Sequence, residues 1–203
     1  MYLDIISIPP INGEPPKYLF VALHGWGSNA SDLASLTPVL NLPQCQFIFP
    51  NAPLPHPHVE GGRAWYALET SDYEGLEESR ETLFEWLESL ETMTNVPLSR
   101  TILCGFSQGG AMILDVGLNL PLAGLCCLSG YLQFEPQPSE STFPPVLIAH
   151  GTQDEIVPLK AARQARDKLT AVGVAVEYQE FDMGHEVQPP VIALMHKFIS
   201  ARL

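Results

Sequence analysis

A chain of 203 residues with ten Lys and Arg against 23 Asp and Glu carries a formal charge of −13, which repels phosphate backbones and anionic lipid surfaces and excludes nucleic acid as an expected partner. At 46% hydrophobic and 16% charged residues the composition is that of a soluble globular protein, so one domain over residues 1–203 is expected, with a core that needs no metal or disulfide staple. The four cysteines show no C-x-x-C spacing, Met1-Tyr2-Leu3-Asp4 lacks a basic n-region, and no stretch approaches the roughly 18 apolar residues of a membrane span, so a reducing, cytoplasmic setting without membrane insertion is expected.

In chain order, Tyr2 to Ile8 alternates and reads as a strand near a sheet edge. Tyr18-Leu19-Phe20-Val21-Ala22-Leu23 is continuously apolar, the mark of a strand covered on both faces, and stops at His24-Gly25-Trp26-Gly27. Gln46 to Phe49 repeats the pattern and halts at Pro50, where an irregular Pro- and His-rich segment runs to Arg63. Glu60 to Glu91 holds ten acidic residues and only Arg63 and Arg80, the pattern of a solvated helix face. Leu76, Leu83, Trp86, Leu87 and Leu90 share one side of that helix, and Ser71 and Glu74 have capping-box spacing.

Thr101-Ile102-Leu103-Cys104 is again strand-like and leads into Gly105-Phe106-Ser107-Gln108-Gly109, after which Ala111 to Leu118 is helical. Leu122 to Leu128 halts at Ser129-Gly130, with Cys126 and Cys127 as small core residues. Glu135 to Pro145 is a second long loop. Val146 to Ala149 halts at His150-Gly151, Leu159, Ala162, Ala165, Leu169 and Val172 form a helical stripe, Val174 to Phe181 alternates like an edge strand, and Ile192, Met195, His196 and Ile199 form a last stripe. Strand and helix alternate throughout, which predicts the α/β class: a mostly parallel sheet with helices on both faces, without repeats or a cap domain.

A serine between two glycines at a strand-to-helix turn is the pattern of a nucleophile elbow, where small neighbours let the turn lift Oγ above the end of a parallel sheet. A serine nucleophile needs a base within hydrogen-bond reach, and the base needs an acid that fixes its tautomer. Of six histidines, His185 follows a predicted strand at its C-terminal end, the edge where open α/β sheets bind ligands. His196 reads as a partly buried helix residue. His56 and His58 have H-x-H spacing but no third ligand nearby, so no metal site is expected. For the acid, Asp154 also follows a strand; Glu155 points elsewhere if Asp154 points inward, Asp182 is too near His185 in sequence, and Asp115 lies two turns into the helix behind Ser107. The order Ser107, Asp154, His185 is that of α/β-hydrolase triads. An oxyanion hole then needs two amides, and the N–H groups of Gln108 and Trp26 are the candidates, the glycines beside Trp26 letting the backbone approach a reacting carbonyl.

With these pieces placed, the chain resembles the carboxylesterase and lysophospholipase family that includes the acyl-protein thioesterases. The resemblance rests on Leu23-His24-Gly25-Trp26-Gly27, Arg63-Ala64-Trp65-Tyr66, Gly105-Phe106-Ser107-Gln108-Gly109-Gly110, Leu128-Ser129-Gly130-Tyr131-Leu132, His150-Gly151-Thr152-Gln153-Asp154 and Met183-Gly184-His185-Glu186, in the family's order. It implies a lidless single-domain α/β-hydrolase without a cofactor, often a homodimer, acting on small acyl esters, lysophospholipids or acylated proteins. It also implies Ser107, Asp154 and His185 as triad, Trp26 and Gln108 at the oxyanion positions, and Trp65 and Tyr66 at an acyl-pocket wall. The family commonly has leucine at position 26 and aspartate at 28 and 67, where this chain has Trp26, Ser28 and Ala67. The competing reading is a binding protein that keeps the fold without catalysis; damage to the triad or hole would mark it, and the sequence shows none.

Overall fold

Continuously apolar runs become interior strands and alternating runs become edges. The computed structural model describes residues 3–137 and 142–203. Its elements are β1 (Ile5–Ile8), β2 (Tyr18–Leu23), α1 (Ala30–Ala34), α2 (Thr37–Leu40), β3 (Cys45–Pro50), a short hairpin of β4 (Leu54–Pro55) and β5 (Arg63–Ala64), α3 (Leu76–Thr94), β6 (Thr101–Phe106), α4 (Gln108–Val116), β7 (Gly124–Leu128), β8 (Val146–Gly151), α5 (Leu159–Ala171), β9 (Val176–Phe181) and α6 (Pro189–Ser200). Seven strands form one sheet in the order β1-β3-β2-β6-β7-β8-β9. Only β1 runs antiparallel, and the two alternating strands, β1 and β9, are its edges.

Because successive side chains point to opposite faces, each interior strand serves two cores. Leu19, Val21, Leu103, Leu125, Cys127 and Ile148 face the layer containing α3, α4 and α5. Phe20, Ala22, Ile102, Cys104, Cys126 and Ala149 face α1, α2 and α6. All four cysteines are free and buried, and burial pushes the Cys45 and Cys127 thiols up to about 12, so they serve as small apolar fillers. Among the described residues no helix is long and apolar enough to cross a membrane.

Three sequence expectations are corrected. The long helix starts at Leu76, behind Gly75 at φ 85°, and has no side-chain cap. Ser71 and Glu74 instead lie in a loop in which Glu74 N–H donates to Thr70 Oγ1 at 3.0 Å. The left-handed turn resets the chain direction after the expected box, and a side chain on Gly75 would collide with Leu54 Cδ1 at 2.7 Å. On α6 the buried stripe is Val191, Met195, Phe198 and Ile199, so His196 faces solvent; Phe198 carries more apolar area than His196 and sets the rotation of the helix. Strand β7 starts at Gly124 rather than Leu122, because Leu122 N–H turns back onto Leu120 O at 2.8 Å and is lost to the ladder. Part of the loop expected from Glu135 to Pro145 lies outside the described residues.

Candidate active site

The parallel register brings four loops to one edge of the sheet. Leu23 pairs with Gly105, Phe106 with Leu128, and Gly151 with Phe181, so His24, Ser107, Thr152 to Asp154 and Asp182 to His185 leave the sheet at its C-terminal side. Ser107 turns the chain from β6 into α4 at φ 54°, ψ −117°, a conformation non-glycine residues adopt only where the surroundings impose it. The imposing contacts are visible at its neighbours: a Cβ on Gly105 would meet Gly109 O at 2.2 Å, and one on Gly109 would meet Leu23 O at 2.4 Å. Ser107 N–H donates to Leu128 O at 2.9 Å, which ties the elbow to β7.

His185 Nδ1 lies 2.7 Å from Asp154 Oδ2. The other carboxylate oxygen, Oδ1, accepts from Ile156 N–H at 2.9 Å and Val157 N–H at 2.8 Å, so the acid is held in one orientation and buried. His150, fully buried, donates from Nε2 to Val157 O at 2.8 Å and stands 3.4 Å from Asp154 Oδ2. Its bracing of the Asp154 turn was not read from the sequence, although the spacing His150-x-x-x-Asp154 was in view. The competing acids are elsewhere: Asp115 pairs with Arg80 Nε at 2.5 Å, Asp182 Oδ1 accepts from Gln153 Nε2 at 2.5 Å, and Glu155 is exposed. His56 Nδ1 accepts from His58 N–H and Val59 N–H, and His58 Nε2 lies 3.0 Å from Glu69 Oε1. Among the described residues no hydrogen bond joins Ser107 Oγ to His185, whose ring packs on Phe106 with centroids 4.9 Å apart.

The loop after β2 is clamped from three sides. His24 is fully buried, accepts from Ala52 N–H at Nε2 (3.0 Å) and donates from Nδ1 to Gly25 O (2.8 Å), an arrangement that requires the neutral ring. Burial correspondingly lowers its pKa below 6.5. Gly27 N–H donates to Arg63 O and Arg63 N–H to Ser28 O, while the Arg63 guanidinium donates to Ala52 O and Pro53 O. The peptide at Trp26 is thus fixed, and its indole meets the His56 ring edge-on at 4.1 Å. Gln108 stands at the first position of α4, where backbone N–H groups lack intrahelical acceptors and favour negative charge. Its side chain also ties α4 to the segment after β5, accepting from Trp65 N–H at 2.9 Å and donating to Tyr66 O at 2.8 Å.

Trp65 and Tyr66, expected at a pocket wall, have no exposed surface. The Trp65 indole N–H donates to His24 O at 3.0 Å, and Ser79 Oγ donates to Trp65 O. Tyr66 Oη lies 2.5 Å from Tyr131 Oη. Both residues act as interior braces between α3, the elbow and the β2 loop, and large aromatics with a polar atom to satisfy suit that role. The Gln108–Trp65–His24 linkage joins residues 41 and 43 apart in the chain, which no local pattern could announce.

This elbow, topology and loop arrangement define the α/β-hydrolase class. The family model for phospholipase/carboxylesterase matches residues 10–203, and the chain belongs to that family of hydrolytic enzymes. An acyl-protein thioesterase 1 from Eremothecium gossypii is 28% identical, covering 94% of this chain and 90% of that protein. One from Neurospora crassa is 30% identical, covering 89% and 82%. The crystal structure of esterase PE8 superposes with a TM-score of 0.90 at 30% identity over the whole of both chains.

Proposed function

We propose that this enzyme cleaves carboxylic esters or thioesters through an acyl-enzyme on Ser107. His185 takes the Ser107 proton as Oγ attacks the carbonyl, then returns it to the departing alcohol or thiol; a water deprotonated by His185 releases the acid. Asp154 orients His185 and steadies the imidazolium without taking its proton. The Trp26 and Gln108 amides receive the oxyanion. The observation that carries the reading is the 2.7 Å bond from Asp154 to His185 Nδ1, which leaves Nε2 for the serine at the edge where the elbow presents Ser107. Catalytic hydrogen bonds commonly tighten only with substrate in place, so the resting separation of Ser107 and His185 is compatible with this.

The names of the relatives make acylated proteins one substrate class to test beside small acyl esters and lysophospholipids. Four free buried cysteines fit an enzyme working in the reducing cytoplasm. The test is Ser107→Ala together with fluorophosphonate labelling. Wild-type protein is expected to be labelled at Ser107, and the variant to lose label and at least about 10⁴-fold in kcat while keeping its unfolding midpoint. An unchanged rate rejects the nucleophile, and a wild-type protein that neither labels nor turns over any ester supports a binding role.

A further inference from the structure

Beneath His185 lies an apolar cavity of about 380 Å³ between the sheet and the layer of α1, α2 and α6. Phe20, Phe49 and Cys104 form its floor on the sheet, Leu33 and Leu36 one flank, and Ile192 and Met195 the other. Sequence explains why the space is open. Helix α1 ends after five residues, Pro38 sits in the first turn of α2, and Asn41 leaves α2 at φ 44°. Two short helices therefore stand where one amphipathic helix would cover the sheet.

His185 and its neighbour Glu186 line this cavity, whereas Ser107, Trp26 and Gln108 do not, so a chain reaches it from the reacting carbonyl only by way of His185. In a tetrahedral intermediate the oxyanion points to the hole and the leaving oxygen to the histidine that must protonate it. The group bordering the cavity is thus the one that handles the leaving group. Resting on the function proposed above, we infer that the cavity receives the hydrocarbon chain of the alcohol, and that esters of medium-length alkyl alcohols are a preferred substrate class. At roughly 30 Å³ per methylene, about the share of one water in the liquid, a hexyl chain needs about 180 Å³, which the cavity holds. Leu36, which lines the cavity, is 38% exposed, so the cavity opens to solvent there.

The test compares kcat/KM for butyrate esters of ethanol through decanol with an ethyl-ester series of increasing acyl length, in the wild-type enzyme and in Ile192→Trp and Leu36→Trp. Each methylene buried in the cavity is worth up to about fourfold, so the wild-type rate is expected to climb from ethyl through hexyl. Filling the cavity is expected to lower the hexyl-to-ethyl ratio at least tenfold and to move the acyl-length profile by less than threefold. Leu36→Trp, at an exposed rim, remains informative if Ile192→Trp fails to fold. A filled cavity that reshapes the acyl profile instead, or neither profile, overturns the inference. Fluorophosphonate labelling separates the two levels: labelled protein with an indifferent alcohol profile defeats only the pocket, and unlabelled wild-type protein defeats the catalytic reading.

Discussion

The two faces of the sheet are built differently. On one, Leu83, Trp86, Leu87 and Leu90 of α3, Met112 and Ile113 of α4 and Ala162 and Leu169 of α5 share a core with the strands, Trp65 and Tyr66 fill the space beside the elbow, and a hollow of about 420 Å³ lined by Arg80, Asp115 and Phe134 does not reach His185. On the other, α1 and α2 are four or five residues long and leave the 380 Å³ cavity under His185. The filled face fixes the amides that would hold an oxyanion, through Gln108 and Trp65. The open face lies against the histidine. On the proposed mechanism, rigidity falls where donors must not move and space where the leaving group would enter, as expected of preorganised sites.

Substitutions on the two sides should expose the difference. Trp65→Ala is expected to cost about 3–5 kcal/mol in denaturant unfolding and to depress kcat further, because His24 O loses its donor; Trp65→Phe should recover most of the stability but not the rate. A Trp65→Phe enzyme with normal kcat would show that the indole bond does not position the oxyanion loop. Next in size, Leu87→Ala on the filled face should cost about 2–5 kcal/mol, whereas Leu33→Ala beside the cavity should cost about 1 kcal/mol, since its side chain already lacks neighbours on one side. Equal losses would mean that the open face closes in solution.

A bounded effect is expected from pH. His24 is neutral in the fold with its pKa lowered by burial, while in the unfolded chain it titrates near 6.5. Above that value both states are neutral and the group is indifferent to pH. As pH falls below it, the unfolded state takes a proton that the folded state refuses, so stability declines until pH passes the folded-state pKa, at no more than about 1.4 kcal/mol per pH unit. His24→Gln should flatten the urea midpoint between pH 6.5 and 5 by up to that slope. An unchanged slope would mean that His24 is protonated in the fold, contrary to the bond it accepts from Ala52.

Much of this was legible locally. The apolar run before Gly105, the helix after it and the chain order of Ser107, Asp154 and His185 follow from patterns of period 2 and 3.6 and from strand ends. The helix start at Leu76 is hidden in the sequence because a capping box and a glycine in the left-handed region compete within five residues, and Leu54, distant in the chain, leaves no room for a Cβ at position 75. His196 was misread because Phe198 two residues later outweighs it in apolar area.

By itself the sequence determined the class of the sheet, its two edge strands and the edge at which Ser107, Asp154 and His185 gather, because parallel strands of buried residues have few other ways to pair. Tertiary structure alone decided what surrounds them. It turned Trp65 and Tyr66 inward as braces, bound Gln108 to a segment 43 residues away and left a cavity beneath His185. Those outcomes depend on which helix covers which face and how completely, a balance of packing volumes summed over both cores that no single stretch of chain contains.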